Sequence, residues 1–95
     1  MIIRIVKMNF TNDGRVEFYK IFNESAPVIK SFKGCISVKL MQATGKTNLL
    51  FTLSEWETEI DLENYRKSNF FRETWEQTKK LFEDKAEAWS TTEVI

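Results

Sequence analysis

The chain has 95 residues, 42% hydrophobic and 29% charged, a composition that belongs to a folded globule and excludes a disordered chain. Its 14 basic side chains balance its 14 acidic ones, which leaves no electrostatic footprint for nucleic acid or an anionic membrane. Histidine is absent and Cys35 is the single cysteine, so neither an intrachain disulfide nor a cysteine metal cluster can form.

Ile2 to Phe10 reads as a strand, with Ile2, Val6, Met8 and Phe10 on one face and Ile3 and Ile5 on the other. A strand apolar on both sides is covered on both sides. Arg4 and Lys7 interrupt it: either they stand near an edge or a cavity mouth, or one of them pairs with a carboxylate. Their position inside the apolar stretch, rather than ahead of it, separates MIIRIVKMNF from a signal peptide. No apolar run approaches the ~20 residues of a membrane span, and a cytoplasmic location is expected. Thr11-Asn12-Asp13-Gly14 then breaks the strand and offers Asn12 or Asp13 as a helix N-cap.

From Arg15 to about Lys30 the positions Val16, Tyr19, Phe22, Ala26 and Ile29 recur at helical steps. Pro27 removes one backbone donor, which predicts a kink or an early end. Ser31 to Gly34 is the turn out. Cys35 to Gln42 alternates, with Ile36, Val38 and Leu40 on one face and Ser37 and Lys39 on the other, and Cys35 reads as a small buried hydrophobe. Ala43 to Asn48 is a hairpin loop, and Leu49 to Trp56 is a third strand, apolar on both faces. Thr58-Glu59-Ile60-Asp61 resembles a capping box at the head of an acidic helix start. Ser68-Asn69 interrupts that helix. A second piece, from about Phe70 to Phe82, carries the stripe Phe71, Trp75, Thr78, Phe82, and Ala86 to Val94 is a last strand holding Trp89.

The order β-α-β-β-α-β over residues 1–95 predicts one α+β domain, a ferredoxin-like fold with a four-stranded antiparallel sheet. Helices on one face leave the other bare. Because the first and third strands are apolar on both sides, the bare face calls for a second sheet, and a homodimer closing a shared barrel-like core is the expected assembly. A domain this small gains from such burial. Seven of the 13 aromatic residues fall between Trp56 and Trp89, interleaved with Tyr65, Ser68, Asn69 and Thr74, as in a cleft that is apolar but not sealed.

The strand MIIRIVKMNF, the turn SFKGC, the strand LLFTLSEWE and the helix DLENYRKSNFF resemble the antibiotic biosynthesis monooxygenase superfamily of small dimeric α+β barrel proteins. Phe32-Lys33-Gly34 and Trp56 are the best marks. The run from Phe70-Phe71 through Trp75 and Leu81-Phe82 to Glu87-Ala88-Trp89-Ser90 is similar to a bacterial subgroup of it. The resemblance implies the dimeric barrel, and among its activities the formation of quinones and the breakdown of haem. Cofactor-free members place an Asn four residues before the strand Trp and a Tyr six after it. Here those positions are Thr52 and Leu62. Haem-degrading members pair a helix Trp with a His ten residues on; here the pair is Tyr65 and Trp75, without an axial ligand, so no cofactor is expected.

Two functions follow as expectations. One is a cofactor-independent monooxygenase acting on a small aromatic or quinol-type substrate between sheet and helices, with Thr52 as polar anchor and Trp56, Tyr65, Phe71 and Trp75 as walls. The other is a non-catalytic dimeric module for a small hydrophobic ligand or a protein partner. Each wall residue has a plain alternative as core. Without histidine, the base is Tyr65, a buried Glu or Lys, or none, so no catalytic residue is assigned.

Overall fold

The computed structural model describes residues 1–95 as β1 (Ile2–Asn9), α1 (Asn12–Ser31), β2 (Cys35–Ala43), β3 (Lys46–Trp56), α2 (Glu59–Arg66), α3 (Asn69–Lys79) and β4 (Glu87–Thr91). The strands form one sheet in the order β2-β3-β1-β4 with every neighbour antiparallel, the ferredoxin-like arrangement expected from the element order. β1 takes the centre beside β3, with Val6 opposite Thr52 and Met8 opposite Leu50.

Period two divides each strand between two faces. Toward the helices point Arg4, Val6 and Met8 of β1, Val38 and Leu40 of β2, Leu50, Thr52, Ser54 and Trp56 of β3, and Ala88 of β4. The opposite face carries Ile3, Ile5, Leu49, Phe51 and Leu53 at its centre, flanked by Met41 and Trp89, both about half exposed. One row across it runs Lys39, Leu53, Ile5, Trp89. Lys7 also lies here, in register with Glu87. This face is the only apolar one the helices do not cover.

The core is small and sits at one end. Met8, Phe10, Phe18 and Leu50 are buried together, and Phe22, Leu81 and Phe82 pack around them. Phe10 stacks on Phe18 at 4.8 Å between ring centroids and also meets Phe82 at 5.3 Å. Only 11 of 95 residues are buried in the single chain, which leaves apolar area for a partner to cover.

Several local readings are corrected. Thr11, not Asn12 or Asp13, caps α1: its Oγ1 accepts from the Gly14 N–H at 2.9 Å. The inward stripe of α1 is Gly14, Phe18, Ile21/Phe22, Ser25 and Ile29, while Val16 is 50% exposed. Gly14 sets this rotation, because its bare Cα packs against the Leu81 carbonyl, where a Cβ would collide. Pro27 sits in α1 without ending it; its ring is exposed, as is Asn23, whose carbonyl loses the partner and can turn to water. Ile36 points outward, 50% exposed, because a bulge between Cys35 and Ser37 inserts one extra residue. The same bulge leaves Cys35 only half-buried, not sealed in the core. The hairpin is also tighter than a six-residue loop, turning through Thr44 and Gly45 alone, with Gly45 at φ 82°.

Candidate functional site

Two short helices roof the sheet beyond the core. Thr58 starts α2, accepting from the Asp61 N–H at 3.1 Å and donating its hydroxyl to Asp61 Oδ2 at 2.9 Å. The Asp61 carboxylate lies against Gly34, whose φ of 83° and lack of a Cβ both permit the approach. Ser68 ends one helix and starts the next, since its Oγ donates to the Tyr65 carbonyl at 2.6 Å and accepts from the Phe71 N–H at 3.1 Å. This joint aims Tyr65 and Phe71 at the same place.

That place is a cavity of about 330 Å³ between sheet and helices, within the ~300–1,000 Å³ usual for small-molecule sites. Its floor is Arg4, Val6 and Met8 with Thr52 and Ser54, and α1 contributes Phe18, Ile21, Phe22, Ser25 and Ile29. Leu62, Tyr65 and Arg66 come from α2, and Phe71, Thr74, Trp75 and Thr78 from α3. Of the residues selected by sequence, Thr52, Tyr65, Phe71 and Trp75 therefore converge on one space. Trp56 does not line it. The Trp56 ring is fully buried behind Tyr65, stacked on it at 5.1 Å, and its indole N–H donates to Ser54 Oγ at 2.9 Å. Its turn away from the cavity follows from its place at the end of β3, opposite Ile2 and Cys35 rather than over the open middle of the sheet.

The rings form a connected wall. Tyr65 touches Phe71 edge-on at 5.2 Å, Phe71 lies nearly parallel to Trp75 at 6.1 Å, and Trp75 meets Phe82 at 5.6 Å. The Tyr65 hydroxyl makes no hydrogen bond within the chain, although its backbone carbonyl does. Burial holds its phenol well above the ordinary tyrosine value, with the nearby Cys35 adding in the same direction. Tyr65 is therefore a protonated phenol at neutral pH, a donor and acceptor but not a base.

Of the two charges inside β1, Arg4 lies on the cavity floor, while Lys7 faces the other side of the sheet. One guanidinium nitrogen donates to Ser90 Oγ at 3.0 Å. Burial lowers its affinity for the proton, Arg66 nearby adds to that, and Glu63 partly offsets both. Arg66 itself bonds Glu63 at 2.9 Å. Of the polar groups read from sequence as part of an aromatic cleft, Tyr65 and Thr74 line the cavity, whereas Arg66, Ser54 and Ser25 were not selected. Period two would have placed Arg4 from Val6 and Ser54 from Thr52, and adjacency to Tyr65 would have raised Arg66. The lining contains no carboxylate, imidazole or thiol. Nowhere in the chain do three His, Cys, Asp or Glu side chains converge as metal ligands, and no helix is long and apolar enough to cross a membrane.

The sequence model of the antibiotic biosynthesis monooxygenase family matches residues 1–77. The chain belongs to that family. Among solved structures similar to this family member, Rv0793 from Mycobacterium tuberculosis superposes with a TM-score of 0.89 at 15% identity, over 99% of this chain and 95% of its own. A conserved protein from Methanosarcina mazei Go1 gives 0.89 at 22% identity, over 96% and 91%. A structure named as an antibiotic biosynthesis monooxygenase gives 0.90 at 10% identity, over the full length of both chains. At these identities the likeness is one of fold. No curated protein matches this monooxygenase-family chain.

Proposed function

We propose that this family member is a cofactor-independent monooxygenase for a small aromatic or quinol-type substrate, working as a homodimer closed over the open sheet face. One observation carries the reading: Thr52, Tyr65, Phe71 and Trp75 line a single cavity sized for one fused-ring molecule. The family supports the reaction class. In such chemistry a substrate carbanion or phenolate reduces oxygen and forms a C–O bond to the resulting peroxide. Protonation of the outer oxygen and loss of the C–H proton cleave the O–O bond, leaving a carbonyl and one water. The substrate supplies all four electrons. The protein's share is to hold the ring against the wall of Phe71 and Trp75, offer the Tyr65 hydroxyl to the substrate oxygen, and exclude water from the anion.

A second reading, a non-catalytic ligand-binding dimer, is favoured by one feature, the lack of a side-chain base in the lining. Oxygen consumption with a panel of quinols and dihydroxy-aromatics decides between them. Uptake that falls in Tyr65→Phe and Trp75→Ala supports the oxygenase. Uptake no greater than in those variants rejects it, and ligand-dependent thermal stabilisation without uptake supports the binder.

A further inference from the structure

The polar groups of the cavity are not scattered. Arg4 stands directly between Ser90 and Ser54 in the sheet, so one row of the floor is polar while the next, through Val6 and Thr52, turns apolar toward Met8 and Leu50. Arg4 bonds only the neutral Ser90 hydroxyl and has no carboxylate partner within ion-pair distance. Arg66, itself bonded to Glu63, closes the same end from α2, so the unpaired positive charge there is that of Arg4. Where α1 and α3 meet, by contrast, Ser25 and Thr74 also border a shallow depression that carries Glu24 and Glu73. The cavity thus has a cationic end and an aromatic middle.

A half-buried cation with no carboxylate in direct contact is held at a cost that an incoming anion relieves. From this geometry we infer that the ligand is an aromatic anion, its rings against the wall of Phe71 and Trp75 and its carboxylate or phenolate oxygen on Arg4 and Arg66. The inference rests on the cavity being the substrate site. It also supplies what the lining lacks: a phenolic substrate bound beside the Arg4 guanidinium ionises more readily, its proton passing to solvent water instead of a side-chain base. Arg4 and Arg66 are in this sense binding residues that set the ionisation state of the ligand.

Calorimetric titration of the wild-type chain with 2-naphthoate and with its neutral isostere 2-naphthamide tests the point. A charge-assisted bond to a partly exposed guanidinium predicts roughly tenfold tighter binding of the naphthoate. Added salt and Arg4→Gln should each erase most of that preference, and Arg66→Gln a smaller part, with circular dichroism confirming that both variants fold. In a second arm, 4-nitrophenol bound to the wild type should ionise at lower pH than when free, and this shift should shrink in Arg4→Gln. A shift without a naphthoate preference assigns the site to phenolates. Equal binding of acid and amide with no nitrophenol shift overturns the inference, as does binding of none of the three. The wild-type comparison stands even if a variant misfolds. Anion preference without oxygen uptake from any quinol keeps this inference and removes the oxygenase; uptake without anion preference does the reverse.

Discussion

Replacing Trp89 by alanine tests whether the open sheet face is a contact between two copies. In the single chain Trp89 leaves 46% of its surface exposed, in one row with Ile5 and Leu53. A tryptophan presents up to about 250 Å², so about 115 Å² stands open on each chain and about 230 Å² on a pair. At ~25 cal/mol per Å² this is about 6 kcal/mol as an upper bound. Alanine retains part of the area, and interfaces convert area to affinity inefficiently. A loss near 3 kcal/mol, roughly a hundredfold in dimer dissociation constant, is therefore expected. Sedimentation equilibrium across a concentration series measures it directly. The melting temperature of the wild type should also rise with protein concentration, and that slope should flatten in the variant. A wild type that sediments as a single chain at micromolar concentration, or a variant with unchanged dissociation, refutes the argument.

Further outcomes follow from single side chains. Gly34→Ala should cost at least about 2 kcal/mol in urea unfolding, because a left-handed φ and the Asp61 carboxylate both oppose a Cβ; Gly45→Ala, with the same φ and open space, should cost only about 1 kcal/mol. Tyr65 keeps its proton more tightly folded than unfolded, so its contribution to stability is full below pH ~10 and declines as pH rises past that value. Alkaline unfolding should therefore be less steep in Tyr65→Phe, which at neutral pH loses no internal hydrogen bond and should match the wild type. Trp56→Phe loses the bond to Ser54 and some packing volume, and chemical denaturation should show it weaker by about 1–2 kcal/mol, with the cavity lining otherwise intact.

The order of elements, the inward face of the second helical region and the place of the cavity between sheet and helices were legible because period two and period 3.6 leave few alternatives in so short a chain. The second helical pair reads cleanly, since Ser68 marks its joint and Phe71, Trp75 and Thr78 share one face. α1 is harder. Its apolar residues support two overlapping stripes, one through Val16 and Tyr19 and one through Phe18 and Ile21, and only the contact of Gly14 with the segment after α3 chooses between them. Ile36 is misplaced by alternation because a bulge is set by pairing with β3, which no local pattern encodes. Arg4 stood out as a charge in an apolar strand, yet which end of the cavity it faces depends on Ser90, 86 residues away. Trp56 illustrates the reverse case: a residue conspicuous by type whose ring supports Tyr65 from behind.

The three tryptophans divide the molecule between them. Trp56 is sealed inside, Trp75 borders the cavity, and Trp89 lies half open on the far side of the sheet. Each should emit at its own wavelength, so unlabelled protein carries separate optical gauges of folding, occupancy and self-association. Filling the cavity should quench Trp75 while leaving Trp89 untouched, and dilution should redden Trp89 alone. Versions retaining one indole at a time would let the three events be timed independently in a single stopped-flow trace.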